Sequence, residues 1–312
     1  MALDHVLAPL SRIDRTLAGV GLGCAPIGDL FTSVTEADAG ATVAQALASG
    51  IRFFDTAPHY GAGLSERRLG AALRDVERDT VSIATKVGRQ ILDARGEVVP
   101  SGGVGVRTAK DLSADGVLRS LESSLARLEV DRIDVLYLHD PEDVDLALRE
   151  AIPAMVRLRD EGVVRAIGVG MNFSEPLARF AAEADVDLVM VAGRYTLLDR
   201  SAERDLLPTA AGNDVAVIAA GVFNTGILAD PRDDAMYDYR PATAAELARA
   251  RALQRRCIEH GVRLSAAAIR FPLRHPTVAG VVVGARTADE VRQFAADAEA
   301  TIPLALWTEL DA

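Results

Sequence analysis

Eight short apolar runs recur along the chain, and longer segments with the spacing of amphipathic helices separate them. The runs occupy residues 17–23, 51–54, 81–84, 133–138, 163–169, 186–191, 215–219 and 278–283. Most of them are almost continuously apolar, which is typical of strands that are covered on both faces and therefore parallel. The pattern predicts an α/β protein in which helices connect neighbouring parallel strands.

The segments between the runs show helical periodicity. They occupy residues 36–49, 65–74, 144–161, 174–184, 199–211, 243–260 and 287–300, with an additional short helix over 265–273. The clearest helix is predicted to follow Ser113, a residue type that caps helices, because leucines recur at three- and four-residue spacing up to Leu128.

Eight strand–helix units fit either a closed barrel or an open, doubly wound sheet. The open sheet that binds dinucleotides carries a GxGxxG turn after its first strand. The glycines of residues 19–23 do not complete that pattern, because Cys24 or Pro26 stands where the third glycine belongs. We therefore predict a (β/α)8 TIM barrel with extra helices, forming a single domain over residues 1–312.

Composition argues against several classes of function. The formal net charge is −11 and the basic residues do not cluster, so nucleic acids and anionic membranes are not expected as partners. No apolar stretch approaches the roughly 18–20 residues that span a bilayer, and no secretory signal is evident. The two cysteines form no CxxC motif, and the five histidines show no HxH or HExxH spacing. We therefore expect a cytoplasmic protein without a metal site.

Polar residues terminate four consecutive runs. Asp55 follows the second run, Lys86 the third, His139 the fourth and Asn172 the fifth. In parallel barrels the C-terminal ends of the strands meet at one face, and that face holds the active site. Each residue alone has an ordinary structural interpretation, such as a turn cap for Asp55, but together they predict a site for a small-molecule substrate.

Tyr60 adds a proton donor to this set. A tyrosine hydroxyl titrates near pH ~10 in water, and a neighbouring ammonium favours the phenolate, so we expect Lys86 to lower the pKa of Tyr60. Asp55 can keep the lysine charged, and His139 can orient the reacting oxygen. Lys86 is also one of only two lysines among 34 basic residues, which favours a specific need for its ammonium. These four side chains suit acid–base chemistry on a carbonyl/alcohol pair.

The motifs around these residues resemble the aldo-keto reductases. Residues 53–61 read FFDTAPHYG, residues 134–139 read DVLYLH and residues 166–169 read AIGV, in the order of the family's motifs. The resemblance covers nearly the whole chain and implies a (β/α)8 barrel with a short N-terminal hairpin. It also implies that Tyr60 is the general acid/base, that Lys86 and Asp55 tune it, and that His139 orients the substrate.

The same resemblance implies a nicotinamide cofactor bound without a Rossmann domain. Asn172 would hold the nicotinamide, where many members have a Ser-Asn pair. The adenosine end would lie on Gly284, Arg286 and Glu290. Because Glu290 would accept from a ribose hydroxyl and repel a phosphate, we expect NAD, although Arg286 would still allow NADP. The cofactor's pyrophosphate would lie on backbone N–H groups of the stretch Gly221, Val222, Phe223, Asn224 and Thr225. The apolar side chain of Val222 or Phe223 would face the nicotinamide.

Residues 193–198, 221–228 and 237–239 resemble a branch of the family that oxidises aldoses or pyridoxal. This resemblance implies NAD-linked oxidation of a cyclic hemiacetal to a lactone. An NADPH-dependent carbonyl or aldehyde reductase is the alternative, and a non-catalytic cofactor-binding regulatory subunit is a third hypothesis. The long connections 88–112 and 223–243 are expected to shape the substrate pocket, because long loops on this face of a barrel commonly do so.

Overall fold

The computed structural model describes residues 19–30, 32–100 and 105–311. The segment expected to form the N-terminal hairpin and residues 17–18 of the first predicted strand lie outside the described residues. The described residues form twelve strands, namely β1 (Gly19–Gly23), β2 (Phe53–Asp55), β3 (Ser82–Val87), β4 (Arg89–Leu92), β5 (Arg107–Lys110), β6 (Ile133–His139), β7 (Val164–Met171), β8 (Leu188–Ala192), β9 (Ala216–Ala220), β10 (Met236–Tyr237), β11 (Arg240–Pro241) and β12 (Val278–Gly284).

Eight of these strands close a parallel barrel in the order β1, β2, β3, β6, β7, β8, β9 and β12, and β12 pairs with β1. Each barrel strand coincides with one of the eight apolar runs, so the predicted (β/α)8 barrel is confirmed. Glycine allows close packing of neighbouring strands, because a Cβ at Gly168 would lie 2.3 Å from the carbonyl oxygen of Leu188.

The helices lie outside the strands. They are α1 (Glu36–Ala48), α2 (Leu64–Leu73), α3 (Ala114–Leu128), α4 (Val144–Leu146), α5 (Ile152–Asp160), α6 (Ser174–Glu183), α7 (Leu206–Gly212), α8 (Ala244–Glu259), α9 (Leu264–Arg270), α10 (Ala288–Ala298) and α11 (Leu304–Asp311). Ser113 caps α3 as expected, because its side chain accepts the backbone N–H of Gly116.

Two predicted helices differ from the structure, and one observed helix was not predicted. The helix predicted over 199–211 is a short 3-10 turn at Ser201–Glu203 followed by α7. The helix predicted over 144–161 contains a π-helical turn at Ala147–Ala151. The last helix, α11, was not predicted, because its short segment carries no clear end signal. None of the described helices is long and apolar enough to cross a membrane, and no group of potential metal ligands occurs among the described residues.

Both long connections contain β-hairpins. Strands β4 and β5 pair antiparallel within the 88–112 connection, and β10 pairs with β11 within the 223–243 connection. Residues 101–104 of the first connection lie outside the described residues. Ordered hairpins in these positions bring additional side chains to the C-terminal face of the barrel.

Candidate active site

The barrel interior is filled by a layer of side chains that includes Phe53, Ala84 and Tyr137. Along a strand, every second side chain points to the same face. Asp55, Lys86 and His139 each follow one of these interior residues by two positions, on β2, β3 and β6. Strand alternation therefore raises the three polar side chains into the next layer, at the C-terminal mouth of the barrel.

Lys86 and Asp55 form a buried ion pair in this layer. The Lys86 Nζ atom lies 2.7 Å from Oδ1 and 2.8 Å from Oδ2 of Asp55, and it also donates to the carbonyl oxygen of Thr56 at 2.8 Å. The two side chains are only 2% and 4% exposed. Since an ammonium has three N–H donors, these contacts use the full donor capacity of Lys86.

Tyr60 lies beside this pair on the loop after β2. Its ring centroid is 4.8 Å from Lys86 Nζ and 5.8 Å from the His139 ring, which meets it edge-on. The loop is held by a close backbone approach between Gly28 and Gly61, where a Cβ on Gly61 would lie 2.4 Å from the carbonyl oxygen of Gly28. The structure thus brings together the four side chains that the sequence singled out.

The pKa of Tyr60 departs from the sequence expectation. Burial of the hydroxyl raises its pKa well above 10, and the negative charge of Asp55 raises it further. The expected lowering by Lys86 was wrong for this state of the protein. The physical reason is that Asp55 neutralises the ammonium at hydrogen-bond distance, while the phenol is partly withdrawn from water. Tyr60 is therefore held in its protonated form at neutral pH.

His139 is held in its neutral form. Burial lowers its pKa well below 6.5, and the positive charges of Lys86 and Arg89 lower it further. Its Nδ1 atom is buried without a hydrogen-bond partner among the described residues, and its Nε2 atom lies 3.6 Å from Oδ2 of Asp140. A neutral imidazole can donate one hydrogen bond and accept another, so it can hold a hydroxyl or a carbonyl oxygen.

Two charged residues of the mouth were missed by the sequence reasoning. Asp140 follows His139 directly in a left-handed conformation, with φ of 46°, and pairs with Arg89 at 3.2 Å. Lys110, the second lysine of the chain, pairs with Glu142 and contributes to the low pKa of His139. The scarcity of lysine was a usable signal for Lys110, since both lysines of the chain act on this histidine.

Asn172 directly follows β7, at the rim of the barrel mouth. It lies beside the tetrad formed by Asp55, Tyr60, Lys86 and His139. Its carbonyl oxygen accepts from Nε of Arg194 at 2.8 Å, and its side chain lies within hydrogen-bonding reach of the Tyr239 hydroxyl. Arg194 also pairs with Asp238 at 2.8 Å and with Asp199 at 3.2 Å. The sequence reasoning noted the Tyr-Asp-Tyr stretch of residues 237–239 but did not connect it with Arg194, which lies 44 positions away.

Residues 221–225 form a tight turn after β9. Gly221, Asn224 and Thr225 have positive φ, and Asn224 donates from Nδ2 to the carbonyl oxygen of Gly193 at 3.1 Å. Among the described residues, the backbone N–H groups of Val222, Phe223 and Thr225 donate to no protein acceptor. This turn therefore offers amide donors, of the kind that bind phosphate oxygens.

Gly284, Arg286 and Glu290 lie where β12 leads into α10. The Arg286 guanidinium pairs with Glu290 at 2.7 Å, and the backbone N–H of Arg286 donates to the same carboxylate at 2.7 Å. Glu290, expected from the sequence to accept from a ribose hydroxyl, accepts from Arg286 in the structure. The pair is an i, i+4 contact that neutralises the Arg286 guanidinium.

Comparisons with known proteins agree with this architecture. The sequence model of the Aldo/keto reductase family matches residues 19–312. The chain is 44% identical to D-threo-aldose 1-dehydrogenase from a Pseudomonas species, over 94% of this chain and 93% of that protein. It is 39% identical to pyridoxal 4-dehydrogenase from Microbacterium luteolum, over 96% of this chain and 95% of that protein.

Solved structures show the same fold. The holo form of an aldo-keto reductase from Bacillus halodurans has a TM-score of 0.76 at 26% identity, covering 94% of this chain and 92% of that chain. A glycerol dehydrogenase from Gluconobacter oxydans has a TM-score of 0.75 at 25% identity, covering 94% and 90% of the two chains. The chain belongs to the aldo/keto reductase family and is an NAD(P)-dependent oxidoreductase.

Proposed function

We propose that this enzyme oxidises the anomeric hydroxyl of a cyclic aldose to a lactone, with NAD as its cofactor and Tyr60 as the general acid/base. The observation that carries the proposal is the convergence of Tyr60, Lys86, Asp55 and His139 on one mouth of the barrel. The substrate class is supported by the 44% identity to an aldose dehydrogenase along nearly the whole chain.

The side chains divide the proton chemistry among them. In the oxidative direction, deprotonated Tyr60 accepts the proton of the hemiacetal hydroxyl while the C–O bond becomes a carbonyl. His139, neutral in the structure, donates a hydrogen bond to the same oxygen and fixes its position. The Lys86–Asp55 pair lies against the Tyr60 ring and holds it in position, and it does not transfer a proton to the tyrosine. In the reductive direction protonated Tyr60 acts as the acid.

A bound nicotinamide cofactor supplies the hydride acceptor for the anomeric carbon. The amide donors of residues 221–225 suit its pyrophosphate, and Asn172 would hold the nicotinamide amide. The apolar side chain of Val222 or Phe223 would cover the nicotinamide face. Gly284, Arg286 and Glu290 would take the adenosine end.

The expected preference for NAD over NADP follows from the ion pair between Arg286 and Glu290. Arg286 is the cation available for a 2′-phosphate, but Glu290 already neutralises its guanidinium. The adjacent carboxylate would also repel the phosphate. The ribose hydroxyls of NAD carry no charge and meet neither obstacle.

The mouth around Tyr60 is polar, with Asp140, Asn172 and Tyr239 at its rim. Several hydrogen-bonding groups around one reactive oxygen suit a polyhydroxylated ring better than an apolar aldehyde. This polarity supports an aldose as the substrate.

The test is a comparison of initial rates of NADH or NADPH formation with L-fucose, D-arabinose and pyridoxal, followed by chemical detection of the lactone product. We expect the highest kcat/KM with an aldose and NAD. Faster turnover of pyridoxal than of any aldose would replace the proposed substrate class. Activity confined to NADPH-driven reduction of aldehydes would refute the proposal, and the absence of any turnover despite NAD binding would favour a regulatory subunit.

A further inference from the structure

The β10–β11 hairpin ends in a two-residue turn, Asp238–Tyr239, between the paired residues Tyr237 and Arg240. Both turn residues have positive φ, 48° for Asp238 and 62° for Tyr239. Two-residue turns of this type favour Asn-Gly, and a tyrosine is unusual in a left-handed conformation. A residue kept in such a conformation is commonly part of a functional site.

Arg194 fixes this turn to the barrel. Its guanidinium donates to Oδ2 of Asp238 at 2.8 Å and to the carbonyl oxygen of Asn172 at 2.8 Å. One side chain at the end of β8 thus joins the end of β7 to the tip of the hairpin. The backbone N–H of Tyr239 also donates to Oγ1 of Thr225 at 3.2 Å, which attaches the turn to the loop after β9.

These attachments place Tyr239 over the mouth. Its hydroxyl lies within hydrogen-bonding reach of the Asn172 side chain, and the ring lies near Tyr60 and Asp140. The side chain is nevertheless 58% exposed, so much of its surface remains available to a ligand. An aromatic ring with a polar tip at such a position suits a sugar ring, which has both apolar C–H faces and hydroxyl edges.

We propose that the Asp238–Tyr239 turn is the substrate-selecting cap of this enzyme. Tyr239 packs against the ring of a cyclic aldose held on Tyr60, and Arg194 is the positioning residue that keeps the cap over the mouth. The inference rests on the proposed function, because it assigns the cap to the same substrate. It also explains why a two-residue turn in a long connection carries a tyrosine where glycine fits best.

The first experiment measures Tyr239→Ala with two aldehydic substrates of different size. With a cyclic aldose we expect KM to rise by about tenfold or more and kcat to change little, because the variant loses ring packing but keeps the tetrad. Glyceraldehyde forms no ring, so it is assayed in NADH-driven reduction; because it is too small to reach the cap, we expect both of its constants to stay within about twofold. Equal losses on both substrates, or no change on either, would overturn the proposal.

The second experiment tests the role of Arg194 through its partner. Asp238→Asn removes the charge of the ion pair but preserves the turn, since asparagine tolerates the left-handed conformation. We expect a smaller rise in the aldose KM than for Tyr239→Ala. Asp233→Asn is the matched control in the same connection, because Asp233 pairs with Arg251 on the surface, and it should leave KM unchanged. An equal effect of both variants would refute the positioning role.

Binding without turnover separates the cap from the cofactor and from the proposed function. Titration calorimetry of L-fucose into NADH-loaded protein should show weaker sugar binding for Tyr239→Ala, while NAD binding to the free protein changes by less than about threefold. A larger effect on NAD than on the sugar would assign the cap to the cofactor. If the wild-type enzyme oxidises no aldose, the proposed function is refuted but the role of the cap is not. The rates of NADH-driven reduction of pyridoxal and of glyceraldehyde by wild type and Tyr239→Ala are then compared, and they decide whether the cap selects ring substrates.

Discussion

Both carboxylate oxygens of Asp55 lie within 2.8 Å of the Lys86 Nζ atom, in a layer of the barrel that water barely reaches. The contact fixes the ammonium beside the Tyr60 ring, and the carboxylate offsets the effect of its positive charge on the tyrosine. The pair therefore acts mainly by holding the geometry of the site, while burial determines that Tyr60 is protonated at rest.

We predict that Tyr60→Phe lowers kcat for aldose oxidation by about 10²–10⁴-fold, because only the hydroxyl that exchanges the proton is removed. The ring still fills its place beside His139, so NAD binding and thermal stability should match the wild type. Steady-state kinetics and NAD titration measure the two effects. A variant that keeps more than half of the rate would remove Tyr60 from its proposed role.

Aldose oxidation should become faster as the pH rises. The pKa of Tyr60 is raised well above 10, so the deprotonated fraction that can accept a proton grows by about tenfold per pH unit throughout the neutral range. His139 stays neutral over the same range, because its pKa is lowered well below 6.5. The measurement is kcat/KM for the aldose from about pH 6 to 10. Reduction in the reverse direction uses protonated Tyr60 and should stay level, whereas a falling oxidative profile would contradict the assignment.

Lys86→Arg should lower kcat/KM by about 100-fold or more, because a guanidinium is larger and cannot place three donors at the position of the ammonium. The two lysines of the chain offer a matched comparison. Lys110 is partly exposed and pairs with Glu142 at the surface, so Lys110→Arg should retain most of the activity. Similar rates for the two variants would show that the buried site does not require lysine.

Glu290→Ala should shift the cofactor preference toward NADP. The substitution releases the Arg286 guanidinium for a 2′-phosphate and removes a repelling carboxylate, so kcat/KM with NADP should rise by about tenfold relative to NAD. Asp289→Ala is the control, since the neighbouring Asp289 pairs with Arg292 instead. If the ratio of kcat/KM with NADP to kcat/KM with NAD is unchanged in Glu290→Ala, the 2′-hydroxyl of the cofactor does not bind near Glu290.

Arg127→Ala should destabilise the protein by about 3–5 kcal/mol, because it leaves the carboxylate of Glu66 buried without its partner. The two side chains are 4% and 0% exposed, and their atoms lie 2.6 Å apart. Arg292→Ala, which breaks an exposed pair, should cost less than about 1 kcal/mol. Urea unfolding gives the free energy of unfolding of both variants. Equal losses of stability would show that burial of the Arg127–Glu66 pair does not contribute to stability.

The polar residues at the ends of the strands show which part of the site can be predicted from the sequence. Asp55, Lys86 and His139 were found because each follows an apolar run, and parallel strands bring their C-terminal ends to one face. The i, i+4 spacing of Arg286, which precedes α10, and Glu290 on α10 was also visible in the sequence, although their mutual pairing was not inferred. The direction of the Tyr60 pKa shift was missed, because it depends on burial and on the donors of Lys86 already being used.

The sequence by itself determined the eight buried strands, most of the helices and the polar residues at the mouth, because apolar runs and helical periodicity are local properties of the chain. The tertiary structure alone decided that Arg194 joins Asn172 to Asp238 and that Tyr239 lies near Tyr60. These contacts link loops far apart in sequence that carry no periodic pattern. Only closure of the barrel brings them within hydrogen-bond distance.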